Sequence, residues 1–286
     1  MRPGFTVERA GIATTVQDRG RFGYAHLGVP GSGFADRQSA ALANRLVGNL
    51  PHAALLETSG EIVVRADRDC WIAVCGANGP VWVNDVARDV GRCLYVAHDA
   101  RLRIGAPRTG MRYYVAVDGG ISGAAVLDSL STDTLSGIVA VPVLQGSVLG
   151  SGTPHAEPAF GDPLPPSGIA ALALSPGPRA SWCTAESMST LVTTPWTVAA
   201  EVNRIGVRLA GPSLQRTRHD ELPSEGLVRG AMQLLPSGSI IVMIADHPVT
   251  GGYPVIAVLD DDAVDALAQS RPDDDVRFRW SHIVSL

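Results

Sequence analysis

The residues best suited to chemistry crowd into one short stretch. It reads Thr14-Thr15-Val16-Gln17-Asp18-Arg19-Gly20-Arg21-Phe22-Gly23-Tyr24-Ala25-His26-Leu27-Gly28-Val29-Pro30-Gly31-Ser32-Gly33-Phe34-Ala35-Asp36. Carboxylates, an imidazole and guanidinium groups in one place can exchange protons and hold an anion. The stretch buries no continuous apolar face. Its glycines allow positive φ and close backbone approach, and folds commonly carry sites on such loops. The competing reading is a solvated loop that only joins strands.

A second candidate lies where a long apolar run ends. Ile240-Ile241-Val242-Met243-Ile244-Ala245 predicts a buried central strand. It delivers the chain into Asp246-His247-Pro248-Val249-Thr250-Gly251-Gly252-Tyr253-Pro254. A buried strand feeding a polar Gly-Gly loop suits a site, and a plain Gly-Gly hairpin turn is the alternative.

All 23 lysine-or-arginine positions are arginine. No Schiff-base lysine, no Walker A loop and no biotinyl-lysine can therefore exist on this chain. The net charge of −5 gives no support for nucleic acid or a polybasic membrane surface. No apolar run approaches the roughly 20 residues that span a bilayer. Met1-Arg2-Pro3-Gly4-Phe5 lacks the apolar core of a signal peptide. These features predict a cytoplasmic protein with reduced cysteines. Cys70 and Cys75 fall on opposite faces if they share a strand, so buried thiols are expected there rather than a metal pair. The histidines show no metal-ligand spacing, and no metal site is expected on this chain.

Short apolar runs broken by turn residues fill Glu61 to Ile121, as in Trp71-Ile72-Ala73-Val74 and Tyr113-Tyr114-Val115-Ala116-Val117. This pattern predicts a β-barrel or sandwich. Three short helices are expected: one capped by Asp36 and running to about Val47, one over Thr184 to Thr194, and one from Asp260-Asp261-Asp262 to Pro272. A proline-rich stretch over 150–180 reads as a connection between two lobes, 1–165 and 166–286.

With these stretches in view, the chain resembles the KipA family, also called allophanate hydrolase subunit 2, the 5-oxoprolinase C subunit (PxpC) or biotin-dependent carboxyltransferase family proteins. The matching residues are Thr15-Val16-Gln17-Asp18, Gly20-Arg21, Gly23-Tyr24, His26-Leu27-Gly28-Val29-Pro30 and Asp36. They continue with Ala43-Asn44, Leu46-Val47-Gly48-Asn49, Leu56-Glu57-Thr58, Tyr114-Val115-Ala116-Val117 and Gly119-Gly120-Ile121. In the second half come Asn203-Arg204-Ile205-Gly206, Ser224-Glu225-Gly226, Gly230-Ala231-Met232-Gln233 and Thr250-Gly251-Gly252-Tyr253-Pro254.

The resemblance implies a mainly β chain of two cyclophilin-like β-barrel lobes with a few short helices. It implies a KipI-type (allophanate hydrolase subunit 1) partner and a third subunit of LamB/YcsF type. The implied activity is ATP-dependent 5-oxoprolinase, with ATP and Mg²⁺ held here or on the partner. Two alternatives stand beside it: the carboxyltransferase unit of a biotin-dependent urea carboxylase, and a non-catalytic KipA-like partner of a KipI-type kinase inhibitor. In its matched motifs Asp18, Arg21, His26, Asp36, Glu57 and Asp246 are candidates for catalysis. Gln17, Arg37, Asn44, Asn203, Arg204, Gln233, Thr250, Gly251, Gly252 and Tyr253 are candidates for binding substrate or nucleotide. Bland roles compete: Asp36 as a helix cap, Asn44 and Glu57 as loop ties, and Arg204 as the partner of a structural carboxylate. The chain departs from the family at His247-Pro248-Val249 and at Val255, where relatives carry Lys or Arg. It also ends at Leu286, where many relatives continue with a helix.

Overall fold

Period-two burial organises most of the chain. In the Ile62–Ala66 strand, Ile62, Val64 and Ala66 are buried while Val63 and Arg65 are partly exposed. That is the signature of a strand with one face on a core. The computed structural model describes residues 2–160 and 171–281. Within them the chain is mainly β with three short α-helices, as the turn-punctuated apolar runs predict.

The chain forms two compact units. Among the described residues, the first takes 2–22, Ser32–Asp133 and 137–160, and the second takes Gly23–Gly31, Thr134–Ser136 and 171–281. The boundary expected near residue 165 lies outside the described residues. The chemistry-rich stretch is thus divided: its first and last parts belong to the first unit, and its middle, with His26, to the second.

In the first unit a seven-stranded and a five-stranded sheet share one core. Phe5 and Val7 on the Arg2–Ala10 strand meet Leu56, Ile72 and Val115 from the five-stranded sheet. That second sheet runs Thr15–Gln17, Leu55–Thr58, Thr109–Val117, Cys70–Asn78, Cys93–Val96. Its other face is covered by helix α1 (Arg37–Leu46), which packs Ala40 and Ala43 against Leu55, Ala73, Cys75, Tyr114 and Ala116. Cys70 points into the shared core and Cys75 under α1, the opposite-face arrangement their spacing predicts. Asp36 caps α1 by accepting the Ser39 N–H at 2.9 Å, and Gly48 follows the helix at φ +74°.

In the second unit one eight-stranded sheet begins with Asp275–Val276 and ends with Phe278–Trp280. Only Arg277 separates these two edge strands in sequence, so the sheet curls back into a nearly closed barrel. Val276 and Phe278 both enter its core. Closure of this kind leaves little free strand edge. Ile240–Met243 lies in the middle of the sheet, as its unbroken apolar run predicts. Helices α2 (Ala185–Thr193) and α3 (Asp261–Leu267) add to this core. Helix α3 stops short of the expected Pro272. Its last turn tightens, with the Gln269 and Ser270 N–H groups bonded to the Ala266 and Leu267 carbonyls. Asp260 leads α3 without a side-chain cap, because its Oδ2 accepts the Ser281 hydroxyl at 2.7 Å. Among the described residues no helix is long and apolar enough to cross a membrane.

Candidate functional site

The five-stranded sheet of the first unit sends its Thr15–Gln17 strand directly into the Asp18–Phe22 loop. Asp18 is the clamp of that loop. Its Oδ1 accepts the Gly20 N–H at 2.8 Å and the Ser129 and Ser131 hydroxyls at 2.6 Å each, and its Oδ2 accepts the Leu130 N–H at 2.7 Å. The Asp18 carbonyl also accepts the Phe34 N–H at 3.1 Å. Four donors leave this carboxylate committed to the loop. Gly33 makes the close return possible: at φ +88°, a Cβ there would lie 2.8 Å from the Arg19 carbonyl.

Arg21 and Gln17 sit differently. Arg21 is 1% exposed, and its Nη2 donates to the Ser131 carbonyl. Its Nε and Nη1 are buried without a partner. Gln17 is fully buried; its Nε2 donates to Thr15 Oγ1 and the Thr132 carbonyl, both at 3.0 Å. Its Oε1 accepts nothing. Buried polar groups are nearly always paired, and among the described residues Arg21 is the side chain with two such atoms left over.

A few residues on, the entry to α1 rests on the outer face of the same sheet. The Asp36 N–H donates to the Tyr114 hydroxyl at 2.7 Å, and the Ala35 N–H to Glu57 Oε2 at 3.1 Å. Arg112 lies 3.6 Å from Glu57 Oε1 as a buried ion pair. Burial pushes the Tyr114 phenol well above its ordinary pKa, and Glu57 and Asp36 nearby add to that. Asp36 also accepts the Ser39 hydroxyl at 2.5 Å. Arg37 follows it as the first residue of α1. Asn44, farther along α1, donates to the Pro51 and Ala53 carbonyls and accepts from Asn49, which ties the helix to the next loop.

In the second unit, the Ile240–Met243 strand leads to Asp246, which has no exposed surface. Arg204 grips it with Nε and Nη2, each at 2.9 Å from a carboxylate oxygen. Thr134 adds its N–H at 3.0 Å and its hydroxyl at 2.7 Å. Burial pulls the Asp246 carboxyl upward, yet Arg204 and Thr134 outweigh it and hold the pKa below the ordinary value. The adjacent His247 is lowered, chiefly by burial. Asn203 is a turn residue whose Oδ1 accepts the Ile205 and Gly206 N–H groups. Gln233 is buried and donates to the Tyr253 carbonyl at 3.1 Å. Thr250–Gly251 pairs with Glu225–Gly226 as a short strand, and a Cβ on Gly251 would lie 2.6 Å from Gln233 Nε2. Gly252 and Tyr253 follow with exposed surface, Tyr253 at 44%. His26 lies on an exposed 3-10 turn, its Nδ1 2.9 Å from the Gly23 carbonyl.

Within the first unit the fold gathers Gln17, Asp18 and Arg21 on the Ser129–Thr132 segment, and Asp36 with Glu57 at the start of α1. Within the second it gathers Arg204 with Asp246, and Gln233 with Gly251 and Tyr253. Asn44 and Asn203 stand apart, each tied to its own turn. Ser129, Ser131, Thr134 and Arg112 were not among the sequence candidates. Arg112 had a usable signal, since it shares strand parity with Tyr114 two residues on and so faces the same side. The serines had none, because their roles arise from contacts more than 100 positions away.

The candidate carboxylates do not fit a Mg²⁺ site. Asp18, Asp36, Glu57 and Asp246 all accept from protein donors, and Asp246 is fully engaged by Arg204 and Thr134. Among the described residues no three His, Cys, Asp or Glu side chains gather as a metal centre requires.

A mainly β pair of units, one a nearly closed barrel, with polar loops fed by buried strands, is the architecture of a carboxyltransferase-type domain. The chain belongs to the family "Carboxyltransferase domain, subdomain A and B", whose model matches residues 27–280. It is 36% identical to the C subunit of the Escherichia coli 5-oxoprolinase over 270 residues, covering 91% of this chain and 86% of that one. It is 29% identical to the urea amidolyase of Lachancea kluyveri, covering 96% of this chain and 17% of that one. Among solved structures it matches TTHA0988 at 34% identity and a TM-score of 0.86, covering 97% of this chain and 55% of that one. The Kluyveromyces lactis urea amidolyase matches at 26% identity and a TM-score of 0.90, covering 97% of this chain and 19% of that one. The chain thus spans about half of the TTHA0988 chain and a fifth or less of the urea amidolyases.

Proposed function

We propose that this chain is a subunit of an ATP-dependent 5-oxoprolinase, which opens the lactam of 5-oxoproline to give glutamate. The observation that carries this reading is the 36% identity to the Escherichia coli 5-oxoprolinase C subunit across 86% of that protein. A lactam is a stable amide, so its opening needs an energy source and a site that orients and polarises it. This chain supplies arginine and amide groups for orientation. A KipI-type companion and a third subunit of LamB/YcsF type make up the rest of the enzyme, and the nucleotide with its Mg²⁺ is held on a companion. The lysine-free sequence, which has no Walker A loop, supports that division.

The second reading is the carboxyltransferase unit of a biotin-dependent urea carboxylase, favoured by the 0.90 TM-score to the Kluyveromyces lactis urea amidolyase. The biotin would then arrive on another protein, since this chain has no lysine to carry it.

One assay separates the two. The purified chain is mixed with its companion subunits and ATP, and given 5-oxoproline, urea or allophanate side by side. The expected result is silence from the chain alone and 5-oxoproline-dependent ADP and glutamate from the mixture. Full turnover by the isolated chain, or no stable complex in size-exclusion chromatography, overturns the subunit reading. Biotin-dependent carboxylation of urea establishes the second.

A further inference from the structure

We propose that Arg21 and Gln17 form the subsite that holds the substrate by its carboxylate and by the neighbouring amide N–H. The chemical class is a small amide or lactam with a carboxylate beside its nitrogen, which 5-oxoproline exemplifies. This inference rests on the function proposed above for the choice of ligand, and on the geometry of the first unit for the site.

The argument begins with charge. Three arginines are buried among the described residues: Arg21, Arg112 and Arg204. Arg112 faces Glu57 and Arg204 faces Asp246. Arg21 faces no carboxylate, and its one hydrogen bond goes to the neutral Ser131 carbonyl. Its Nε and Nη1 have neither solvent nor a partner. A guanidinium stays protonated under all ordinary conditions, so the protein buries a full positive charge here without an anion. Leaving a buried charge uncompensated is costly to a fold and is retained where a ligand supplies the missing partner.

Gln17 adds the second, independent observation. It is fully buried, its amide nitrogen is committed to Thr15 and Thr132, and its Oε1 is left without a donor. Arg21 is anchored on the Ser131 carbonyl and Gln17 on the Thr132 carbonyl, the next residue. The anchored ends of the two side chains thus lie on consecutive peptides of one segment. A ligand that satisfies both must accept with an oxyanion and donate a hydrogen bond. Urea donates but carries no charge. A carboxylate on the carbon next to a lactam nitrogen meets both demands. Gly20 and Gly23 flank this position at φ +93° and +91°, and a Cβ added to Gly23 would meet no atom within 4 Å.

The test uses the chain reconstituted with its companion subunits, as wild type, Arg21→Met, Arg21→Gln and Gln17→Leu. Thermal unfolding is measured alone and with 5-oxoproline, 5-oxoprolinamide or inorganic phosphate, and KM is measured for 5-oxoproline. Without ligand, the Arg21 variants are expected to melt at or above the wild-type temperature. The Gln variant retains an amide N–H for the Ser131 carbonyl should the Met variant fail to fold. 5-Oxoproline raises the melting temperature of the wild type and not of the Arg21 variants, and 5-oxoprolinamide raises neither. KM rises roughly 10- to 100-fold on loss of the charged hydrogen bonds, and by a smaller factor in Gln17→Leu.

Both Arg21 variants melting well below wild type would show a guanidinium that braces the loop, and the proposal falls. It also falls if 5-oxoproline produces no shift, which leaves a buried water only, or if phosphate or the carboxamide shifts the wild type equally. Normal 5-oxoproline turnover with an unchanged KM in the Arg21 variants removes the subsite and leaves the proposed function standing. An Arg21-dependent shift without turnover of 5-oxoproline removes the function and leaves the subsite.

Discussion

Arg204 and Asp246 meet through two parallel hydrogen bonds of 2.9 Å, Nε to Oδ2 and Nη2 to Oδ1, on a carboxylate with no exposed surface. Thr134 adds two more donors, both to Oδ2 of Asp246. Arg21 is the counter-example, buried with no carboxylate opposite among the described residues. The first arrangement is what a structural ion pair looks like, and the second leaves a buried charge unanswered.

Removing the Asp246 carboxylate strands Arg204. Asp246→Ala is expected to cost about 3–5 kcal/mol, the usual loss on breaking one side of a buried pair. Urea unfolding of the two proteins checks this. The pH dependence has a definite sign. The folded pKa of Asp246 lies below its ordinary value, so the unfolded chain binds the proton more readily. The pair's contribution is full above about pH 4, the unfolded carboxyl pKa, and fades as pH falls through the lower folded value. Wild type should lose stability more steeply than Asp246→Asn over that acidic range.

His247 titrates in a different window. Burial, assisted by Arg229, lowers its folded pKa, while the Pro248 carbonyl and Asp246 oppose the shift. Below about pH 6.5 the unfolded imidazole takes up a proton that the folded one resists. Stability therefore declines as pH falls from about 6.5 through the folded pKa. His247→Gln should flatten that decline in denaturation curves taken between about pH 5 and 7.

Gly33→Ala tests the loop that presents Arg21. Its Cβ would meet the Arg19 carbonyl at 2.8 Å and the Gly20 nitrogen at 2.9 Å, in a backbone at φ +88°. Backbone atoms cannot swing aside as a side-chain tip can, so a cost of about 2–4 kcal/mol is expected from strain and steric overlap together. Thermal melting measures the cost. Substrate affinity of the assembled enzyme should fall as well, because Asp18 can no longer hold both sides of the loop.

The four thiols should be inert in the folded protein. Burial pushes Cys70 and Cys75 up to about 12 and Cys93 to about 11, and it also raises Cys183. The thiolate is the reactive form. At pH 8 a chromogenic disulfide reagent should titrate the native chain slowly and the urea-unfolded chain at once. Rapid loss of even one thiol in the native protein would contradict this burial.

Much of the architecture was legible in the residues themselves. Alternating apolar runs marked the strands, and the unbroken Ile240–Ala245 run marked a central one. Asp36 announced one helix, because a cap is a local interaction that needs only its next few residues, and the apolar face of Ala185, Met188 and Leu191 announced another. The end of α3 was misplaced, since Pro272 can stop a helix but the last turn had already tightened at Gln269 and Ser270. Family motifs named most of the polar residues described above, though not what each does.

Roles were decided by contacts that no local pattern encodes. Asp18, a plausible base in sequence, is a loop clamp because Ser129, Leu130 and Ser131 fold back onto it from more than 100 positions away. Arg204 and Asp246, separated by 42 positions, become a closed pair. Arg21 looked no different from Arg204 as a letter. The sequence by itself determined the strand-rich class and the absence of lysine chemistry, through local periodicity and composition, and its motifs carried the family resemblance. Only the tertiary structure decided which buried charges are answered and which are left open, because that depends on what long-range packing brings within hydrogen-bond reach.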